Sequence, residues 1–334
     1  MPTEPKGEVD PLVEIVGGNQ TAPNQWPWLV SVKLRSLDIC GGSLIRVSEG
    51  VKATDIVITA DGCIRNDRYG PVLPARDFHV RAGVFDITRT GKYEQRLPVK
   101  SLHTPYTPPS NSAERFYQYR YYNDIAIMVL TKPVKFNTTA VQPVCLPKSN
   151  TSNPKLKQHC IVAGWGTTRA GINPNKTRQV SLAIHKCPKD EPTLYKSHMI
   201  CAGGAGKGGC MNDAGGPFHC QLQKGNKDWT LSGVDSAFLP TDPSDPTPCD
   251  RGTAFTRVAH NLDWIIKTIC HHSAFSHQSE MPKRRHLRKC NPTQEKQKQR
   301  REKGRKQLFR AREEGAGSSR REFCEEAGSS RREL

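Results

Sequence analysis

Nowhere in the 334 residues is there a run of about 18 uncharged apolar side chains, and even DIAIMVL (Asp124–Leu130) and LDWIIKTIC (Leu262–Cys270) stop far short, so no transmembrane helix is expected. Met1 to Asp10 is polar and acidic and lacks the charged-then-apolar start of a secretory signal. No CxxC pair occurs among the twelve cysteines, so a zinc site has no support, and no metal or cofactor is expected. Long helix-forming runs are also scarce. With 27 Gly, 25 Pro and 35% hydrophobic residues, the composition favours a folded, loop-rich and strand-rich body over a helical bundle or a disordered chain.

Twelve cysteines are many for a reducing compartment, which makes disulfides the better reading. N-x-[ST] sequons at Asn19, Asn137, Asn150 and Asn175 are glycosylation candidates that point the same way. We therefore expect a secreted protein for which Met1 is an incomplete or misassigned start.

The net charge of +18 is unevenly placed. From His271 to Leu334 there are 18 Lys/Arg against 9 Asp/Glu, and Lys283 to Arg312 alone holds 14 basic and 2 acidic residues. Within that stretch the only sizeable apolar side chains are Leu287, Leu308 and Phe309, too few to offset roughly 1–2 kcal/mol per residue of backbone ordering. Residues 271–334 are thus expected to be a low-complexity tail, disordered or a solvated helix, with AGSSRREF from Ala316 recurring as AGSSRREL from Ala327. Its cluster Lys283, Arg284, Arg285, Arg288 and Lys289 is a binding candidate for an anionic glycan; the alternative is an unselective solvated tail, and nucleic acid is not expected.

Before the tail, WLVSVKL, DIVITA, FHVRAGV, IAIMVL, CIVAGW and WTLSGV read as short strands between Gly/Pro/Asn turns, the pattern of sandwiches or barrels. Only Val258 to Cys270 has helical spacing, with Val258, Leu262, Ile265, Ile266 and Ile269 on one side.

Eight strings then occur in one order: IVGG (Ile15–Gly18), WPWLVSV (Trp26–Val32), CGGSLI (Cys40–Ile45), NDIAIMVL (Asn123–Leu130), PVCLP (Pro143–Pro147), VAGWG (Val162–Gly166), MICAG (Met199–Gly203) and DAGGP (Asp213–Pro217). From Ile15 to Cys270 the chain resembles the chymotrypsin-like serine proteases of the trypsin family. The resemblance implies an all-β fold of two six-stranded antiparallel β-barrels with a C-terminal helix, followed here by the basic tail. The implied division is a leader at 1–14, a protease-like domain at 15–270 and the tail at 271–334.

Triad chemistry requires a nucleophile, a base that takes its proton and a carboxylate that holds the base. By resemblance, the base position within TADGC is Gly62, which has no side chain. The carboxylate survives as Asp124, and the nucleophile position is Ala214, whose methyl cannot form an acyl intermediate. The family's permissive oxyanion glycine is Asn212, which reaches positive φ less easily. The floor of the specificity pocket is Gly208, without a carboxylate to select Lys or Arg. Its walls carry Phe238, two residues after Ser236, and Thr253. Glu14 precedes Ile15 where trypsin-like activators need Arg or Lys, although Asp213, which receives the freed amino group in the family, is present. Retained Asp124 and Asp213 are equally readable as buried carboxylates that keep their hydrogen bonds without catalysis.

The resemblance also pairs Cys40 with Cys63, Cys160 with Cys220, Cys187 with Cys201 and Cys210 with Cys249. Cys145, Cys270, Cys290 and Cys324 remain, and Cys145 either ties to an upstream propeptide chain or finds Cys270. ERFYQYRYYND places Tyr117, Tyr119, Arg120, Tyr121 and Tyr122 beside Asp124, as candidate partner contacts or as a plain surface loop. The expectation is a secreted non-catalytic protease homologue, a decoy or cofactor in extracellular proteolysis that binds a protease, an inhibitor, a receptor or an anionic glycan. The alternatives are a working serine endopeptidase, for which no other Ser lies in a GxSGGP context, and an adhesive protein acting through its tail.

Overall fold

The computed structural model describes residues 17–47, 51–66, 70–105, 123–136, 139–168, 173–188, 197–222, 228–239, 249 and 251–273. The leader, Asn137, the cluster from Tyr117 to Tyr122, Cys290, Cys324 and the basic residues from Lys283 to Lys289 lie outside the described residues.

A short β1 (Asn19–Gln20) precedes six strands: β2 (Leu29–Leu34), β3 (Leu37–Leu44), β4 (Ala53–Thr59), β5 (Phe78–Ala82), β6 (Gln95–His103) and β7 (Ala126–Lys135). They close in the order β2-β3-β4-β7-β6-β5. Val, Ile and Leu on β2, β4 and β7 fill the barrel: Val30, Val32, Ile56, Ile58, Ile127 and Met128 have no exposed surface. β8 (His159–Gly164), β9 (Arg178–His185), β10 (Met199–Ala202), β11 (Pro217–Cys220), β12 (Thr230–Phe238) and β13 (Thr253–Arg257) follow. They form β8-β9-β10-β13-β12-β11, closed by the pairing of β11 with β8, and β1 joins the side of β9. Here Phe218 and Phe255 stack at 4.0 Å in the core. All the pairings are antiparallel, as the resemblance implied.

The helix α1 (Leu262–His272) begins four residues later than the apolar spacing predicts, because Val258 to Asn261 form a turn that leaves β13. Leu262, Ile265, Ile266 and Ile269 are buried as expected. After its last turn the Ser273 hydroxyl donates to Asp55 Oδ1 at 2.6 Å, and His272 stacks on His103 at 3.8 Å, so the helix end rests on β4 and β6.

All four family disulfides are present, with Cα–Cα distances of 6.1 Å (Cys40–Cys63), 4.6 Å (Cys160–Cys220), 5.1 Å (Cys187–Cys201) and 5.3 Å (Cys210–Cys249), inside the usual range. The expectation for Cys145 needs correction. Cys145 is disulfide-bonded, but Cys270 is not its partner, so the Cys145–Cys270 bridge is not formed. Cys270 sits on the helix, whereas the Cys145 backbone pairs with Thr230 at the start of β12.

Where the barrels meet, His219 is fully buried among Trp26 (4.3 Å), Trp229 (5.0 Å) and Trp28 (5.3 Å between ring centres). The Pro217 carbonyl is nearby, but neither ring nitrogen meets a partner in hydrogen-bond geometry. Burial pushes this imidazole down to about 3, and burial, with His272 adding, pushes His103 down to about 4. Such groups fold neutral, while the unfolded chain takes up the proton first. Their contribution is complete above about pH 6.5 and is lost as pH falls. We predict that the melting temperature falls steeply below pH 6.5, with His219 alone costing roughly 3 kcal/mol by about pH 4.5. His219→Leu should flatten that profile in thermal melts, and an unchanged slope would refute this reading of the tryptophan cage.

Candidate functional site

Asp124 follows Asn123, which takes a left-handed turn at φ 49 just before β7. That turn delivers a carboxylate only 5% exposed to the junction of the barrels. One oxygen, Oδ1, accepts from the Gly62 backbone N–H at 2.9 Å, and the other, Oδ2, accepts from the Ser236 hydroxyl at 2.6 Å. Gly62 lies in the 3-10 turn Asp61–Ile64 after β4, and Ser236 lies on β12. The third position, Ala214, is half-buried: its carbonyl accepts from Gly41 N–H at 2.9 Å and lies 3.5 Å from the Cys63 sulfur. Gly62, Asp124 and Ala214, far apart in sequence, are thus brought together between the barrels.

Close backbone approach builds this junction. A Cβ on Gly41 would come within 2.8 Å of Gly216 Cα, and one on Gly215 within 2.2 Å of Thr59 Oγ1. Gly215 also holds φ 79, a conformation that glycine adopts without strain. Asn212, expected to reach positive φ less easily than glycine, sits at φ 71, so the turn before Ala214 takes the left-handed conformation with a side chain present. Asn is among the residues that tolerate this region best, since its short amide bonds locally. The turn that leads into Ala214 therefore keeps a left-handed residue without a glycine.

The specificity positions are crowded. Gly208 is buried, and a Cβ there would meet the Cys249 carbonyl at 2.5 Å. Thr253 is fully buried, and its hydroxyl accepts from Gly209 N–H at 2.7 Å, joining the two walls. Asp235, which sequence reasoning did not single out, is 3% exposed, and its Oδ2 would lie 2.3 Å from a Cβ on Gly209. Its only signal was an acidic residue in an otherwise uncharged strand, next to Ser236. Phe238, 41% exposed, ends β12 opposite Thr253, with exposed Met211 preceding Asn212.

Asp61 was also missed, although the string TADGC shows it. Arg65 donates to it twice, Nε to Oδ2 at 2.7 Å and Nη2 to Oδ1 at 3.1 Å, and both side chains are buried. Burial raises the pKa of Asp61 most, and the nearby Asp124 charge adds to this against the Arg65 bonds. Committed to Arg65, this carboxylate is a structural ion pair beside the site.

Asp213 sits under the turn, accepting from Gly166 N–H (2.8 Å) and Cys210 N–H (3.0 Å). Gly164 and Gly166 have no alternative, because a Cβ on either would lie within 2.3 Å of this carboxylate. Ile15 and Glu14 lie outside the described residues, and among the described residues no cation faces Asp213. Burial therefore raises its pKa to about 6, against the two backbone bonds. No cluster that could hold a metal ion occurs among the described residues.

Two closed barrels with a carboxylate shared across the cleft between them define the trypsin-like class of folds. A family model described as Trypsin matches residues 15–265, and the chain belongs to the trypsin family. It is 31% identical over 268 residues to the ovochymase of Halocynthia roretzi, covering 76% of this chain but only 15% of that protein's length. It is also 29% identical over 285 residues to phenoloxidase-activating factor 3 of Holotrichia diomphalia, covering 77% of this chain and 72% of the relative. Among solved structures, a two-residue mutant of human heparin binding protein (CAP37) superposes with a TM-score of 0.57 at 26% identity, covering 77% of this chain and 97% of the other.

The raised pKa of Asp213 has a sign opposite to that of the histidines. Its contribution is complete below about pH 4 and is lost as pH rises through 6, because the fold then holds an uncompensated buried charge. Asp213→Asn should therefore gain stability relative to the parent between pH 4.5 and 7.5, by up to about 3 kcal/mol in urea unfolding. A constant offset would report only the changed hydrogen bonds; the absence of any pH-dependent difference would refute the uncompensated charge.

Proposed function

We propose that this chain is a secreted, non-catalytic serine protease homologue that acts by binding within extracellular proteolysis, as a decoy or cofactor. The observation that carries the reading is the hydrogen bond from the Gly62 N–H to Asp124 Oδ1: the triad carboxylate is bonded to backbone where a base would stand, opposite the methyl of Ala214. Asp124 can still orient a group, but neither side chain it would act through exists. Four disulfides and exposed sequons at Asn19, Asn150 and Asn175 support secretion. No helix among the described residues is long and apolar enough to cross a membrane. The name of the Holotrichia relative places that protein in the activation of another, which supports a regulatory role here, with a protease, inhibitor or receptor as the partner class.

The purified protein should not be labelled by a fluorophosphonate probe and should not cleave peptide or ester substrates. In a related arrangement, losing either the nucleophile or the base costs about 10⁶ in rate, and the losses do not add. Ala214→Ser should therefore remain inactive, since Gly62 supplies no base. Clear turnover by the parent or by that single variant would overturn the proposal.

A further inference from the structure

Away from the cleft, a cavity of about 340 Å³ opens where the loop after β5 meets the segment leading into β9. Its size falls at the lower end of ligand sites, about 300–1,000 Å³. Both walls are held in place. The Arg81 guanidinium, 3% exposed and paired with the buried Glu94 at 2.8 Å, donates to the carbonyls of Ile87 (2.9 Å) and Arg89 (3.3 Å), which fixes the loop. Backbone bonds then join this loop to the other wall, Ile87 N–H to Asn175 O and Thr177 N–H to Phe85 O, each at 2.8 Å.

Two exposed cations, Arg89 and Lys176, line the cavity together with the buried Arg178, and Asp86 is the one carboxylate in the lining. Asp86 is held below the usual carboxylate range first by the Thr88 hydroxyl, with the charges of Arg89 and Lys176 adding, so both cations act at one place. Gln20, Thr88 and Asn175 supply amide and hydroxyl groups, and Pro174 is the one apolar lining residue.

We propose that this cavity binds a sulfated sugar unit of an anionic glycan. The surplus of cations suits sulfate or uronate oxygens, and the amides and hydroxyl suit sugar hydroxyls. A sulfated tyrosine would carry the same anion, but the lining has no apolar wall to take its ring. The site belongs to the folded body, and its reading does not depend on whether the cleft is catalytic. Asn175 heads a sequon on the same rim, so an attached glycan would cover the cavity.

The test uses the full chain, made in a bacterial periplasm that attaches no N-glycan, and titration calorimetry with a heparin-derived tetrasaccharide. Arg89→Ala combined with Lys176→Ala should weaken binding about 10- to 100-fold, whereas Asp86→Asn, which removes the competing carboxylate, should tighten it a few-fold. Both positions are on the surface, and unchanged circular dichroism and melting temperature show that the variants fold. Neutralising Lys283, Arg284 and Arg285 together should leave tetrasaccharide affinity within about threefold, while weakening the binding of long heparin chains. The proposal is overturned if the double variant binds as the parent does, if the desulfated tetrasaccharide binds equally well, or if a sulfotyrosine peptide binds more tightly. The proteolytic reading would stand in each of these cases, since it is decided by the fluorophosphonate probe.

Discussion

The Asp124 carboxylate is the tie on which the arrangement of the cleft depends. It belongs to the first barrel, accepts from Gly62 of that barrel, and accepts from Ser236 of the second. A buried charge left without donors costs several kcal/mol, so the residues that satisfy it constrain how the barrels meet. The same logic gives the carboxylate a structural role here whether or not it orients a catalytic group. Removing it would strand a backbone N–H and a hydroxyl at the junction. Gly41, Gly215 and Gly216 complete the contact by letting the turn around Ala214 touch β3 without side chains intervening.

Around that tie the structure treats its buried ionisable groups in different ways. Arg81 with Glu94 and Arg65 with Asp61 are paired, so their charges organise loops. The 86–94 loop that forms one wall of the proposed sugar site owes its shape to the Arg81 pair. Among the described residues Asp213 and His219 have no opposite charge against them, and burial moves both toward their neutral forms, the acid upward and the base downward. Their pH dependences oppose each other, which is why each is best read from a variant compared with the parent at the same pH.

The strands richest in Val and Ile were legible in advance: β2, β4, β7 and β8 lie within a residue or two of WLVSVKL, DIVITA, IAIMVL and CIVAGW at one or both ends. β3 was not, since CGGSLI carries the glycines of a turn. Gly42 pairs with Val30 in the strand, and it is glycine there because a Cβ would press on Val57 and Val30, at 2.9 and 3.0 Å. β13 was hidden for a similar reason, as its Thr253 is chosen by the bond its hydroxyl accepts from Gly209 in the loop that follows β10. Four cysteine pairs followed from the order of the motifs, but Cys145 did not, because the matching strings carry no information about a bridge that the family makes to a separate chain.

Order and spacing of short strings determined the family, the two-barrel plan, the main disulfides and the identity of the residues at the triad positions, because each string is a local requirement of turn, strand or bridge. Tertiary structure alone decided that Asn212 holds a glycine-like φ, that Asp61 is spent on Arg65, that Asp235 and Thr253 close on Gly209, and that Arg89 and Lys176 face one cavity. The physical reason is common to all four. Each depends on which groups, distant in sequence, come within a few ångströms when two closed barrels pack, and a linear pattern carries no record of those distances.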